Sequence, residues 1–151
     1  MATTIKAFED DIMNDHRTEG IAIFVFELAK YRNFIDEIPL DNIPTADVKV
    51  QRLQKPLHGT TRYLACIDNE GEHYIQNVNK MRAEVFAVLD AFKEKKVRSV
   101  AMSGIKVKEI PDKTSRPEAY QRQFVEEYVA AHPDAFDTIC LVDLHGGFNH
   151  C

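Results

Sequence analysis

The sequence predicts a single α/β domain of three layers spanning residues 1–151, built on a mixed, largely parallel sheet. Three observations predict it. Ile21 to Phe26 is a continuous apolar, β-branched and aromatic run of strand length, the pattern of a strand buried on both faces. Met81, Val85, Val88, Leu89 and Phe92 make one apolar stripe at helical spacing. The second half reads helix, strand, loop, helix, strand, an order that favours parallel pairing through right-handed crossovers.

The elements follow in order. Thr3 to Phe8 alternates weakly and predicts a first strand that ends in the acidic turn Glu9-Asp10-Asp11. After the Ile21 strand, Leu28, Tyr31 and Ile35 hold helical spacing up to Pro39, and Ile38 to Asp47, with Pro39 and Pro44, predicts a loop. Val48, Val50 and Leu53 alternate with polar residues as a half-exposed strand. Thr61 to Ile67 and His73 to Gln76 flank Asn69-Glu70-Gly71, which predicts a hairpin. Lys93, Lys95 and Lys96 follow the Met81 stripe, where cations suit a helix C-terminus. Val97 to Met102 is the next strand, and a polar loop runs from Gly104 to Ser115. Ser115-Arg116-Pro117-Glu118 predicts a capped start to a helix carrying Tyr120, Phe124 and Tyr128, which Pro133 ends. Phe136 to Leu144 is a last buried strand.

Composition narrows the function. The 151 residues are 44% hydrophobic and 28% charged, ordinary for a globular domain. Met1 to Lys6 has no apolar signal region, and no apolar run approaches the roughly 20 residues of a membrane helix. The three cysteines, Cys66, Cys140 and Cys151, are an odd set without CxxC spacing, and the first two sit in strand-like runs as buried thiols. The expected compartment is the cytoplasm. The net charge of -5 is uneven: residues 1–47 carry -6, residues 48–116 carry +6 and residues 117–151 carry -5. This argues against a long nucleic acid or a membrane surface as partner, yet leaves room for a small anion near Lys106, Lys108 and Lys113.

Two stretches resemble the macrodomain family. IKAFEDDIMN, from Ile5 to Asn14, followed by IAIFVF, is similar to that family's opening strand, its Asp-Ile step and its next buried strand. MRAEVFAVLDAFKEKKVRSVAMSG, from Met81 to Gly104, resembles the helix and strand that lead into its phosphate loop. The resemblance implies binding of ADP-ribose or a related nucleotide, with Asp11 in the position that contacts adenine. It also implies that Ser103 and Gly104 face phosphates. The chain departs from the pattern at Asp10, at Glu27-Leu28-Ala29-Lys30 and at Ile105-Lys106-Val107-Lys108, where the family carries glycines, which implies a degenerate catalytic loop.

The ends of parallel strands are where ligands sit in such sheets. Candidate ligand-binding residues are therefore Asp11, Ser103, Gly104, Asp143, His145, Gly146 and Gly147. Each has a plainer reading: a solvated acidic turn, a tight Ser-Gly turn, and a Gly-Gly turn before a frayed tail. No GxSxG, HExxH, Walker or GxGxxG motif is present, so the sequence names no catalytic residue, metal or cofactor. Three functions stay open: a module for a small nucleotide or phosphorylated ligand, a hydrolase or metal-dependent enzyme using Asp143 and His145, and a homo-oligomeric interaction protein exposing Tyr31, Phe34 and Phe148. The sequence leaves the oligomeric state undetermined.

Overall fold

The computed structural model describes residues 3–24, 49–67, 75–112 and 116–150. Eight strands, two α-helices and a closing 3-10 turn are seen among them. The strands are β1 (Thr4–Glu9), β2 (Gly20–Phe24), β3 (Lys49–Leu57), β4 (Thr61–Ile67), β5 (Ile75–Asn77), β6 (Ser99–Ser103), β7 (Val107–Glu109) and β8 (Thr138–Asp143). Helix α1 spans Val78–Glu94, helix α2 spans Pro117–Ala131, and the 3-10 turn spans Gly147–His150. The main sheet has six strands in the order β1-β8-β6-β2-β4-β3, all parallel except β3. This is the mixed, largely parallel α/β arrangement that the sequence predicts.

The sheet buries both faces because its strands alternate apolar residues of two sets. Ala22, Val100, Met102, Ile139 and Leu141 pack against Met81, Val85, Val88, Leu89 and Phe92 of α1 and Phe124, Val125 and Tyr128 of α2. Ile21, Ile23, Leu64, Ala101, Cys140 and Val142 face the other way, under Ile12, Met13 and Leu53. Helix α1 begins where the Asn77 side chain accepts from Lys80 N–H at 3.0 Å. It ends at Glu94, so only Lys93 lies in its last turn; Lys95 is its C-cap and Lys96 is already left-handed at φ 60. Gly20 opens β2 directly beneath the Phe92 ring, with no room there for a side chain.

Several expectations are corrected. The hairpin forms between β3 and β4, antiparallel, through a turn in which His58 and Gly59 take φ values of 55 and 76. Two successive left-handed residues match the twist of a hairpin, which suits glycine at the second. Of the second predicted hairpin, Asn69-Glu70-Gly71 and His73 lie outside the described residues, and Ile75 and Gln76 belong to β5, which pairs parallel with β7 as a separate small sheet. The polar loop after β6 therefore contains a strand. Helix α2 has Arg116, not Ser115, at its N-cap, without a capping side-chain bond, and Pro117 opens it. Phe148 is fully buried as a member of the main core cluster, so the segment after β8 is neither frayed there nor an exposed aromatic surface. Cys140 is a buried free thiol, as expected, with burial pushing its pKa up. The predicted helix from Leu28 to Ile35, the loop to Asp47, Tyr31, Phe34, Lys113, Ser115, Cys151 and the Cys66 side chain fall outside the described residues. No helix among the described residues is long and apolar enough to cross a membrane.

One carboxylate on α1 is unusual. Glu84 Oε2 is buried without a hydrogen-bond partner, and desolvation pushes the pKa up to about 7, partly offset by Lys80. In the unfolded chain the same group titrates near its ordinary value of 4.5. Between those values the folded state binds more protons than the unfolded, so stability falls as pH rises through that window. Thermal stability is therefore expected to fall from about pH 5 to about pH 8 in the wild type, the window set by the two values. In Glu84→Gln that decline should flatten. Parallel melting curves of the two proteins across this range check the expectation; identical slopes would refute it.

Candidate functional site

The carboxyl ends of β1, β8 and β6 lie side by side, because β8 pairs with both β1 and β6. The segments leaving these three strands, with the first turn of α2, enclose an open cleft of about 290 Å³. Asp10, Asp11 and Ile12 come from the end of β1; Ser103, Gly104, Ile105 and Lys106 follow β6. Val142, Asp143, Leu144 and His145 close β8, and Pro117 and Glu118 begin α2.

The β1 end is a built turn. Asp10 N–H donates to the Asp143 carbonyl at 3.1 Å, which carries the ladder one residue past the strand. Asp10 Oδ1 accepts from Asp11 N–H at 2.8 Å and from the Asn14 side-chain amide at 2.6 Å. The Asn14 bond is the chief reason that its pKa lies below the ordinary carboxylate value. Asp11 Oδ1 accepts from Met13 N–H at 2.9 Å, and Asn14 N–H donates to the Asp11 carbonyl at 3.0 Å. His16 Nε2 donates to that same carbonyl at 3.1 Å while its ring lies against Phe8, 5.7 Å between centroids. Asp11 is thus held at the strand end, half-buried and facing the cleft.

The β8 end is also closed on itself. Asp143 Oδ2 accepts from His145 N–H at 3.0 Å and from Gly147 N–H at 2.9 Å, and Gly146 N–H donates to the Asp143 carbonyl at 3.2 Å. This carboxylate takes the place that an anion would occupy in such a nest of amides. The Glu118 side chain packs over Gly147, so close that a Cβ there would meet Glu118 Cδ at 2.7 Å. Asp143 Oδ1 stands on the other side, 3.5 Å from where a Gly104 Cβ would lie.

Five of the seven sequence-predicted residues therefore line one cleft: Asp11, Ser103, Gly104, Asp143 and His145. Gly146 and Gly147 are not among its lining residues; both are buried, and their amides donate to Asp143. Asp143 accepts from the His145 backbone amide, which caps the turn. Among the described residues no three His, Cys, Asp or Glu side chains gather as a metal site. The lining is markedly acidic: Asp10, Asp11, Glu118 and Asp143 against Lys106 and His145.

Sequence reasoning missed Gln121. It is fully buried beneath the cleft floor, where its Oε1 accepts from Ile105 N–H at 2.7 Å and its Nε2 donates to the Ser103 carbonyl at 2.9 Å. The signal was a glutamine three residues before Phe124, on the apolar face of α2. Glu118 and Leu144 were missed as lining residues too; Leu144 is 53% exposed at the cleft mouth.

No family model matches the chain, and no curated protein does. Solved structures do. The macrodomain of Mycobacterium tuberculosis DarG superposes with a TM-score of 0.66 at 11% identity, over 92% of this chain and 97% of that one. The Trypanosoma brucei macrodomain gives 0.70 at 13% identity, over 97% of this chain and 66% of that one. The same protein in complex with ADP-ribose gives 0.68 at 11% identity, over 97% and 66%. The strand order, the β1–β8–β6 cleft and these superpositions agree: this chain has the macrodomain α/β fold.

Proposed function

We propose that this chain binds ADP-ribose, or a nucleotide related to it, in the cleft at the carboxyl ends of β1, β8 and β6. The observation that carries the reading is convergence. The Asp11-Ile12 step and the Ser103-Gly104-Ile105 turn, well separated in the sequence, line one cleft. Its volume of about 290 Å³ is at the lower end of small-ligand sites. The structurally similar Trypanosoma brucei macrodomain was solved with ADP-ribose, which supports the same ligand class here. In this reading Asp11 accepts from the base, and the phosphates lie along the backbone from Ser103 to Lys106 at the start of α2. The Asp143 and Glu118 carboxylates face those phosphates, so backbone donors and Lys106 must outweigh them. The proposed setting is the cytoplasm.

Isothermal titration of the wild type with ADP-ribose, and with AMP as a smaller reference, tests the reading. ADP-ribose is expected to bind, and Asp11→Ala to weaken it by about tenfold, the loss of one charge-assisted hydrogen bond. Absence of heat with either nucleotide at millimolar concentration would dismiss the proposal.

A further inference from the structure

We propose that Gln121 is a positioning residue, fixing the Ser103-Gly104-Ile105 turn in the shape that receives the ligand's phosphates. The proposal rests on the nucleotide-binding reading of the cleft. Gln121 is not itself a lining residue; it acts through Ser103 and Ile105, which are.

The geometry is a two-point clamp. Ile105 N–H can only donate and the Ser103 carbonyl can only accept, so one face of the turn needs an oxygen and the other an N–H. The Gln121 carboxamide supplies both, at 2.7 and 2.9 Å, and its partners fix which way it points. The two clamped groups flank Gly104, the residue with the widest backbone freedom in the turn. At 0% exposure the carboxamide leaves no water to replace it, so a broken clamp leaves buried polar groups unpaired. The same helix places Pro117 and Glu118 in the cleft wall one turn earlier. Helix α2 thus sets the wall and the phosphate turn as one rigid unit, which lowers the ordering cost of binding.

Two variants and two readouts test this. Gln121→Leu keeps the volume and removes both bonds. Gln121→Glu keeps the acceptor for Ile105 N–H but, when ionised, turns an oxygen toward the Ser103 carbonyl; protonation restores the donor. Burial raises that carboxyl's pKa, so ADP-ribose binding by Gln121→Glu should approach wild type near about pH 5 and fall as pH rises toward about 8. The wild type, measured alongside, provides the ratio at each pH. Gln121→Leu should lose about tenfold in affinity at every pH. In the ligand-free proteins, hydrogen exchange at the Ile105 amide should quicken by about tenfold in Gln121→Leu. Wild-type affinity together with wild-type Ile105 exchange in folded Gln121→Leu, or a wild-type/Gln121→Glu ratio that does not change with pH, overturns the proposal. A wild type that binds no ADP-ribose overturns the ligand reading instead. The Ile105 exchange comparison then still decides whether Gln121 holds the turn.

Discussion

Replacing Phe92 with alanine is expected to destabilise the fold by about 3–5 kcal/mol, roughly 10 °C or more in melting temperature. The ring is 0% exposed and sits where α1, β2 and the strand entry at Val97 meet. Its removal takes apolar surface out of a close-packed junction and leaves a void that its packed neighbours close only in part. Urea denaturation monitored by circular dichroism gives the measurement, with the midpoint lowered at an unchanged slope. A loss below about 1 kcal/mol would mean that the junction relaxes freely, against the packing described.

Gly20→Val is expected to destabilise by about 3 kcal/mol through the opposite fault at the same place. A Cβ on Gly20 would lie 2.7 Å from Phe92 Cε1 and 3.1 Å from Val97 Cγ1, both belonging to fully buried side chains. The ring cannot step aside, and Gly20 cannot move because it is laddered to Tyr63 on one side and Val100 on the other. The two substitutions should couple: in the double variant the valine methyls enter the space that Phe92 vacates. The double variant is then expected to be more stable than the sum of the single losses by about 1 kcal/mol or more. Strict additivity would show that the two sites do not share that space.

The parts of this fold that were legible in the sequence are those whose pattern is decided by one buried face. The Met81 to Phe92 stripe became α1 and the Ile21 run became a central strand, because burial repeats along each element at its own period. What was not legible depends on partners distant in sequence. Asn69-Glu70-Gly71 is a sound local turn signal, yet Ile75 finds its partner at Val107. Phe148 reads as a tail residue until a 3-10 turn folds it into the main core. At the site, strand ends were enough to bring Asp11, Ser103, Gly104, Asp143 and His145 to one cleft. They were not enough to show that the Asp143 carboxylate takes the His145 and Gly147 amides, or that Gln121 holds the turn from below. Both are side-chain choices made among competing partners within hydrogen-bond reach.

The pairing of β1 with β8 also sets a timetable. The cleft's Asp11 wall hangs on the first described strand and its Asp143 wall on the last, joined from Thr4↔Thr138 to Glu9↔Asp143. A chain emerging from the ribosome has no cleft until the final strand is released, however well the α1 core has collapsed by then. Capture of the proposed ligand would therefore report on a sheet in which β1 and β8 are already paired. On the proposed function, binding competence and the β1–β8 pairing become one event, and a nucleotide present at that moment would favour the paired state by mass action.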